Sequence, residues 1–177
     1  RDQLLQLQAG EKSRAWLREQ LDDFQVRVSG DQGVEALFRA TMDFLADTLD
    51  PGFAAAYYQS GNRLVCLAAR ALPPAAVPEL APGEGIAGEA ARHAELTVID
   101  ELPADYFRIR SGTGDMLPRQ LVLVPLHYQG SARGVIELAL THPASDIQLH
   151  LLTELAERLA QAVLVAEARH GIDLANA

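Results

Sequence analysis

The segment YFRIRSGTG, residues 106–114, holds the densest polar constellation in the chain: Tyr106, Arg108, Arg110 and Ser111, beside Gly112 and Gly114. Two guanidinium groups this close form a fork suited to an acidic ligand, because planar arginine pairs bidentately with carboxylate or phosphate, and Tyr106 is placed to close over it. The same arginines also read as surface charges of an acidic domain. A second chemical signal is Glu137, a carboxylate inside the apolar run GVIELAL, where a charge is costly unless paired or solvated. It reads as a ligand contact or as a structural hydrogen-bond partner of a covering loop. Tyr57 and Cys66 lie in apolar runs of their own and are candidates for the same cavity, although a lone buried cysteine behaves mostly as a small hydrophobe.

A third signal is PGEGIAGEA, in which Gly83, Gly85 and Gly88 stand at the spacing G-x-G-x-x-G. In a dinucleotide site such glycines follow a buried strand and open a full crossover helix, so that backbone can approach a pyrophosphate. Here the preceding AVPELAP carries two prolines, which is incompatible with a central strand. The helix that follows is too short for a crossover, and Glu84 would set a carboxylate beside the pyrophosphate. Asp100, closing LTVID, stands where a ribose-binding acid would, but it cannot rescue the motif alone. His93, His127, His142, His150 and His170 are scattered without metal-site spacing and read as surface residues. No pattern marks one of them as a haem ligand.

Composition narrows the classes further. The chain has 177 residues, 49% of them hydrophobic, which suits one domain with a real core plus terminal extensions. A net charge of -9, unbroken by any basic run, argues against nucleic acid and anionic lipid as partners. Cys66 is the only cysteine, which excludes an intramolecular disulfide and a cysteine-based zinc cluster and fits a reducing compartment. No apolar run approaches the roughly 20 residues that span a bilayer, so direct membrane contact by this segment is not expected. The first residues read as the interior of a helix, as in an excised fragment.

These residues must be positioned by elements legible as periodicity. From Asp2 to about Val28 the chain reads as a helix whose Leu17, Leu21, Phe24 and Val28 share one face. Gly30 is its expected stop, and Asp31 the expected N-cap of a second helix running to Asp50-Pro51. FAAAYYQ, the turn SGNR and LVCLAARAL predict a hairpin. A loop punctuated by Pro73, Pro74, Pro78 and Pro82 leads to the short helix IAGEAARHA and the strand LTVID. The stretch ELPADYFRIRSGTGDMLPRQ has no clear element, and a loop of that length is more often functional than idle. LVLVPLHY and GVIELAL predict a second hairpin around Gln129-Gly130-Ser131. A final helix from about Ala144 to Arg169 places Leu152, Leu155, Leu159, Ala162 and Ala166 on one face.

This order fits an α+β sandwich: a central antiparallel sheet with terminal helices on one face, and a short helix plus loops roofing the other. From Asp31 to Ala168 the chain resembles the GAF domain. The resemblance is carried by PGEGIAGEAARHAELTVID, where GAF domains read G-x-G-hydrophobic-x-G before a short helix and strand, and by the paired strands of LVLVPLHYQGSARGVIELAL. WLREQLDDFQVRVSGDQGVEAL, PADYFRIRSGTGDMLPRQ and SDIQLHLLTELAERLAQAV are similar to modules of bacterial sensor histidine kinases and related receptors. It implies a coiled-coil-like signalling helix over residues 1–30, a GAF domain over 31–169 and a tail or linker over 170–177.

Strand parity puts Leu121, Leu123 and Pro125 on one face, and the resemblance matches that set to the pocket. The expected ligand-binding residues are thus Tyr57, Cys66, Tyr106, Arg108, Arg110, Ser111, Leu123, Pro125 and Glu137. No catalytic or metal-ligating residue and no cofactor is expected. The implied function is a non-catalytic cytoplasmic sensor or relay, part of a soluble or membrane-anchored receptor, that takes a small-molecule effector. It is expected to form a homodimer through Leu17, Leu21, Phe24, Leu155, Leu159, Ala162 and Ala166. An interaction module without ligand and a cyclic-nucleotide-binding domain are the alternatives, although the N-K-F-D-E constellation of phosphodiesterase members is not recognisable. Free-methionine sulfoxide reduction, performed by some GAF domains with several cysteines, lacks its second thiol here. Cys66 does not stand where a bilin would attach.

Overall fold

The computed structural model describes residues 1–72 and 78–170; the expected loop at Pro73 and Pro74 and the tail after His170 lie outside the described residues. Helices α1 (Asp2–Arg27) and α2 (Val34–Leu49) precede the hairpin β1 (Phe53–Ser60) and β2 (Arg63–Arg70). After β3 (Glu79–Leu80) come α3 (Gly85–Ala90), β4 (Thr97–Ile99) and a small hairpin, β5 (Ile109–Ser111) with β6 (Gly114–Met116). The long strands β7 (Gln120–Tyr128) and β8 (Ser131–Leu140) lead into α4 (Asp146–His170).

Six strands form one antiparallel sheet in the order β3-β2-β1-β8-β7-β4, while β5 and β6 pair only with each other. The central strands β1, β8 and β7 are apolar on both faces because both are covered. On one face Ala54, Ala56, Tyr58, Val122, Val124, Leu126, Ile136 and Leu138 meet α2 and α4, and α1 packs against those two helices. On the other Phe53, Ala55, Tyr57, Leu121, Leu123, Val135 and Ala139 meet α3 and the 102–109 loop. Burying one such large apolar side chain contributes about 1.5–3 kcal/mol, so this double cover is where the fold's stability resides.

Local chemistry sets the helix ends. Ser145 and Gln148 form a reciprocal capping box, with Gln148 Oε1 accepting from Ser145 N at 2.9 Å and Ser145 Oγ accepting from Gln148 N at 3.3 Å. The expected Asp31 cap of α2 is corrected: Gly33 occupies the N-cap without a side-chain bond, and Asp31 Oδ1 instead meets His170 Nε2 at 2.6 Å. Gly30 turns the chain out of α1 at φ +84°, as its left-handed freedom allows.

The face expected to join two copies is used within one chain. Phe24, Leu155 and Leu159 are fully buried, Leu21 and Ala166 nearly so, and Leu17 and Ala162 pack against the same cluster. Those seven residues belong to the intramolecular core, and burial removes Leu21, Phe24, Leu155, Leu159 and Ala166 from any surface a second copy could reach. Periodicity identifies a helix face that needs covering; it does not say what covers it.

Candidate functional site

The glycine-rich loop has a local task. Gly83 N donates to Gly88 O at 2.9 Å, Gly88 N donates to Glu84 O at 3.1 Å, and Glu84 Oε2 accepts from Ala81 N at 2.7 Å. The loop therefore closes on itself, with Gly83 at φ +82° and Gly85 at φ +67°. A Cβ at Gly88 would sit 2.8 Å from Ala81 O, so glycine is needed there for close packing. Asp100 accepts from Gln120 Nε2 at 2.7 Å, and Gln120 Oε1 accepts from Ala144 N at 2.8 Å, which ties the end of β4 to the start of α4. The ribose-acid position is thus a structural strut.

This loop sets α3 above the sheet, and an open, largely apolar cleft of about 510 Å³ remains between α3 and β4. Ile86, Ala90, Ile99 and Leu123 form its apolar wall and floor; Glu89, His93 and Thr97 stand around them. His127, half-buried rather than on the surface as expected, holds α3 to β7 by donating from Nε2 to Ala91 O at 3.2 Å. The cleft's volume falls in the range typical of small-molecule sites, roughly 300–1,000 Å³.

Beside the cleft lies the polar part of the same face. Leu123 pairs across the ladder with Glu137, which in turn pairs with Ala55 of β1, two residues from Tyr57. Tyr57 pairs with Cys66 of β2. Tyr106 reaches this group from the covering loop, its ring stacked on Phe53 at 5.9 Å and tilted against Phe107 at 5.7 Å. Glu137, Tyr57, Tyr106 and Cys66 therefore gather on one face, although they come from four segments.

Their electrostatics follow from burial. Glu137 is 9% exposed, and desolvation pushes its carboxyl above the ordinary carboxylate value; the facing Tyr106 hydroxyl partly opposes that rise. Burial raises the Tyr106 and Tyr57 phenols, and the nearby Glu137 charge raises both further. The buried Tyr106 hydroxyl faces the Glu137 carboxylate, its nearest polar partner, without forming a well-aligned hydrogen bond. Burial also pushes the Cys66 thiol up, and its Sγ lies 3.5 Å from Ala68 O.

The arginine fork is corrected. Ile109 points inward, so close to Gly52 that a Cβ there would lie 2.2 Å from its side chain, and alternation turns Arg108 and Arg110 outward, where both are exposed. Arg110 stands opposite Asp115 in the β5–β6 ladder. Ser111 pairs with Gly114 in that hairpin, and its side chain lies outside the described residues. Pro125 opens onto a separate edge cavity with Ala94, His127 and Gly130 rather than onto the cleft. Sequence reasoning passed over Ile86, Ala90 and Ile99, whose apolar spacing is that of any short covered helix or strand. Among the described residues no group of three or more His, Cys, Asp or Glu is placed to hold a metal ion, and no helix is long and apolar enough to cross a membrane.

A six-stranded antiparallel sheet with terminal helices behind it and a short helix roofing a cleft in front defines a GAF-type α+β domain. The chain belongs to the GAF domain family, whose model matches residues 31–164. Its fold is that of the GAF domain from an Acinetobacter phosphoenolpyruvate-protein phosphotransferase, with 16% identity, TM-score 0.71, and coverage of 89% of this chain and 98% of that one. It is also that of free methionine-R-sulfoxide reductase from Neisseria meningitidis, solved with its substrate, with 21% identity, TM-score 0.71 and coverage of 89% and 93%. The GAF-B domain of DevS from Mycobacterium smegmatis is similar at 18% identity and TM-score 0.60, covering 77% of this chain and 96% of that one. No curated protein matches the chain.

Proposed function

We propose that this GAF domain is a non-catalytic cytoplasmic sensor of a bacterial signal-transduction protein, a sensor histidine kinase in the reading the sequence favours. It takes a small molecule on the α3–β4 face and relays occupancy through α1 and α4 to an output domain. The observation that carries this is the apolar cleft whose floor residue, Leu123, neighbours the buried Glu137. Apolar walls beside a few convergent polar groups of perturbed acidity are the usual composition of a ligand site. A ligand acts on the helices only through its differential affinity for their arrangements. Self-association through the terminal helices belongs to the same proposal, with Leu4, Leu5 and Leu7 of α1, each about 60% exposed, as its contact residues.

Mass spectrometry of the purified chain, first native and then denaturing, with its visible spectrum, reads both parts together. A reproducible extra mass on a dimer is the expected result. A bare monomer that no small molecule stabilises would sink the sensor reading.

One feature favours a second reading, reduction of free methionine sulfoxide: Cys66 lies on the ligand face of a fold shared with such a reductase. Against it stand the absence of any second cysteine in the chain and a thiol that burial makes less acidic, the reverse of an activated nucleophile. The ring cluster of Phe53, Tyr106 and Phe107 fills the face above β1, which favours a ligand confined to the α3–β4 side.

A further inference from the structure

Among the described residues Glu137 is the one buried charged side chain, and no cation answers it. Each arginine near that face is otherwise directed. Arg108 and Arg110 are turned outward, and Arg92 donates to Pro82 O at 3.1 Å while its other nitrogen lies 3.5 Å from Glu89. At the rim of the cleft Glu89 is answered by Arg92 and faces His93, so the uncompensated charge beside the cleft is that of Glu137 at its inner end. A buried charge without a counter-ion is a costly arrangement. The other enclosed carboxylate, Glu167, has its cation in place.

The surroundings of Glu137 also favour positive charge. The Tyr57 and Tyr106 phenols flank the carboxylate, and the Tyr106 hydroxyl that faces it makes no well-formed hydrogen bond, so its lone pairs are open to a donor such as an ammonium group. The cleft ends at Leu123, the ladder partner of Glu137, so one interstrand spacing, roughly 5 Å, separates its floor from the carboxylate strand. A short ammonium-bearing stem spans that distance.

We infer that the site selects small amphiphilic cations: an apolar body seated against Ile86, Ile99 and Leu123, and an ammonium-type group held by Glu137 beneath Tyr106. This deepens the sensor reading and rests on it. Anionic effectors, including cyclic nucleotides, are disfavoured by the uncompensated Glu137 carboxylate.

Three probes of matched shape test the inference by calorimetry on the whole chain: phenethylammonium, 2-phenylethanol and 3-phenylpropionate. The expected order is ammonium, then alcohol, then carboxylate, with about a tenfold preference for the cation over the alcohol, as one desolvated charge contact supplies. Glu137→Gln, a near-isosteric change, should abolish that preference while leaving the circular dichroism unchanged, and Arg110→Ala should leave the order as it is. Equal or tighter binding of the carboxylate, a preference that survives Glu137→Gln, or no binding of any probe at about 10 mM overturns the cation assignment. The two readings fail separately. A neutral or anionic molecule retained in the mass spectrum would uphold the sensor and remove the cation.

Discussion

The two faces of the sheet each enclose a glutamate, and the two are treated oppositely. On the helical face Glu167 of α4 accepts from the Tyr58 hydroxyl at 2.6 Å and from Arg133 Nη1 at 2.8 Å, which joins β1, β8 and α4 and gives the carboxylate its cation, although Arg133 Nε is buried without a bond of its own. On the cleft face Glu137 has neither a cation nor a well-formed bond from Tyr106. Tyr57 and Tyr58 are adjacent in sequence, yet alternation sends one to each network. A buried carboxylate with its cation in place serves the fold; one without a cation lowers stability and is open to a cation from outside. By that measure the helical face is scaffold and the cleft face is the functional surface.

The largest effect that could break this contrast lies in the Glu167 network. Glu167→Ala leaves Arg133 and Tyr58 without their acceptor and should cost roughly 3 kcal/mol in denaturant-induced unfolding. A loss below about 1 kcal/mol, the range of an exposed ion pair, would mean that the network is not structural.

Glu137→Gln should do the opposite, being neutral or stabilising by about 1 kcal/mol near pH 7, because it removes an uncompensated buried carboxylate. The sign follows from linkage. A carboxyl whose folded value is raised binds more protons in the folded state, so stability falls as pH rises from its ordinary value of 4.5 through the raised one. Wild type should therefore lose stability relative to Glu137→Gln across that window, and parallel pH profiles for the two would contradict the assignment.

The smallest effect is expected at Tyr106. Tyr106→Phe removes a poorly bonded buried hydroxyl and one stabilising influence on the Glu137 charge, two opposed changes that should leave thermal stability within about 1 kcal/mol of wild type. A larger loss would show that the hydroxyl is bonded in solution, which would narrow the contrast between the faces.

Much of the architecture was legible because it rests on local signals. The 4-3-4 spacing of Leu17, Leu21, Phe24 and Val28, the alternation in LVLVPLHY and the turn residues between paired strands fix element type and inward face before any tertiary contact forms. The GAF-like segments were readable in the same way, since a loop that needs glycine at Gly83, Gly85 and Gly88 announces itself. The miniature hairpin β5–β6 was not, because two three-residue strands carry no period. The candidate site was half legible. Glu137 stood out as a charge in an apolar strand, but Arg108 and Arg110 attracted attention by type alone, and their direction depended on where Ile109 packs.

By itself, the sequence determined which segments are helix or strand, which of their faces must be covered, and that one carboxylate would be enclosed, since these follow from residue type and short-range periodicity. Only the tertiary structure decided that the helix faces are buried within their own chain, α4 on the sheet and α1 on α2 and α4. It alone showed that Glu167 finds Arg133 while Glu137 finds no cation, and that the open volume lies between α3 and β4. Each of these depends on residues far apart in the chain meeting in space, and no local pattern encodes that distance.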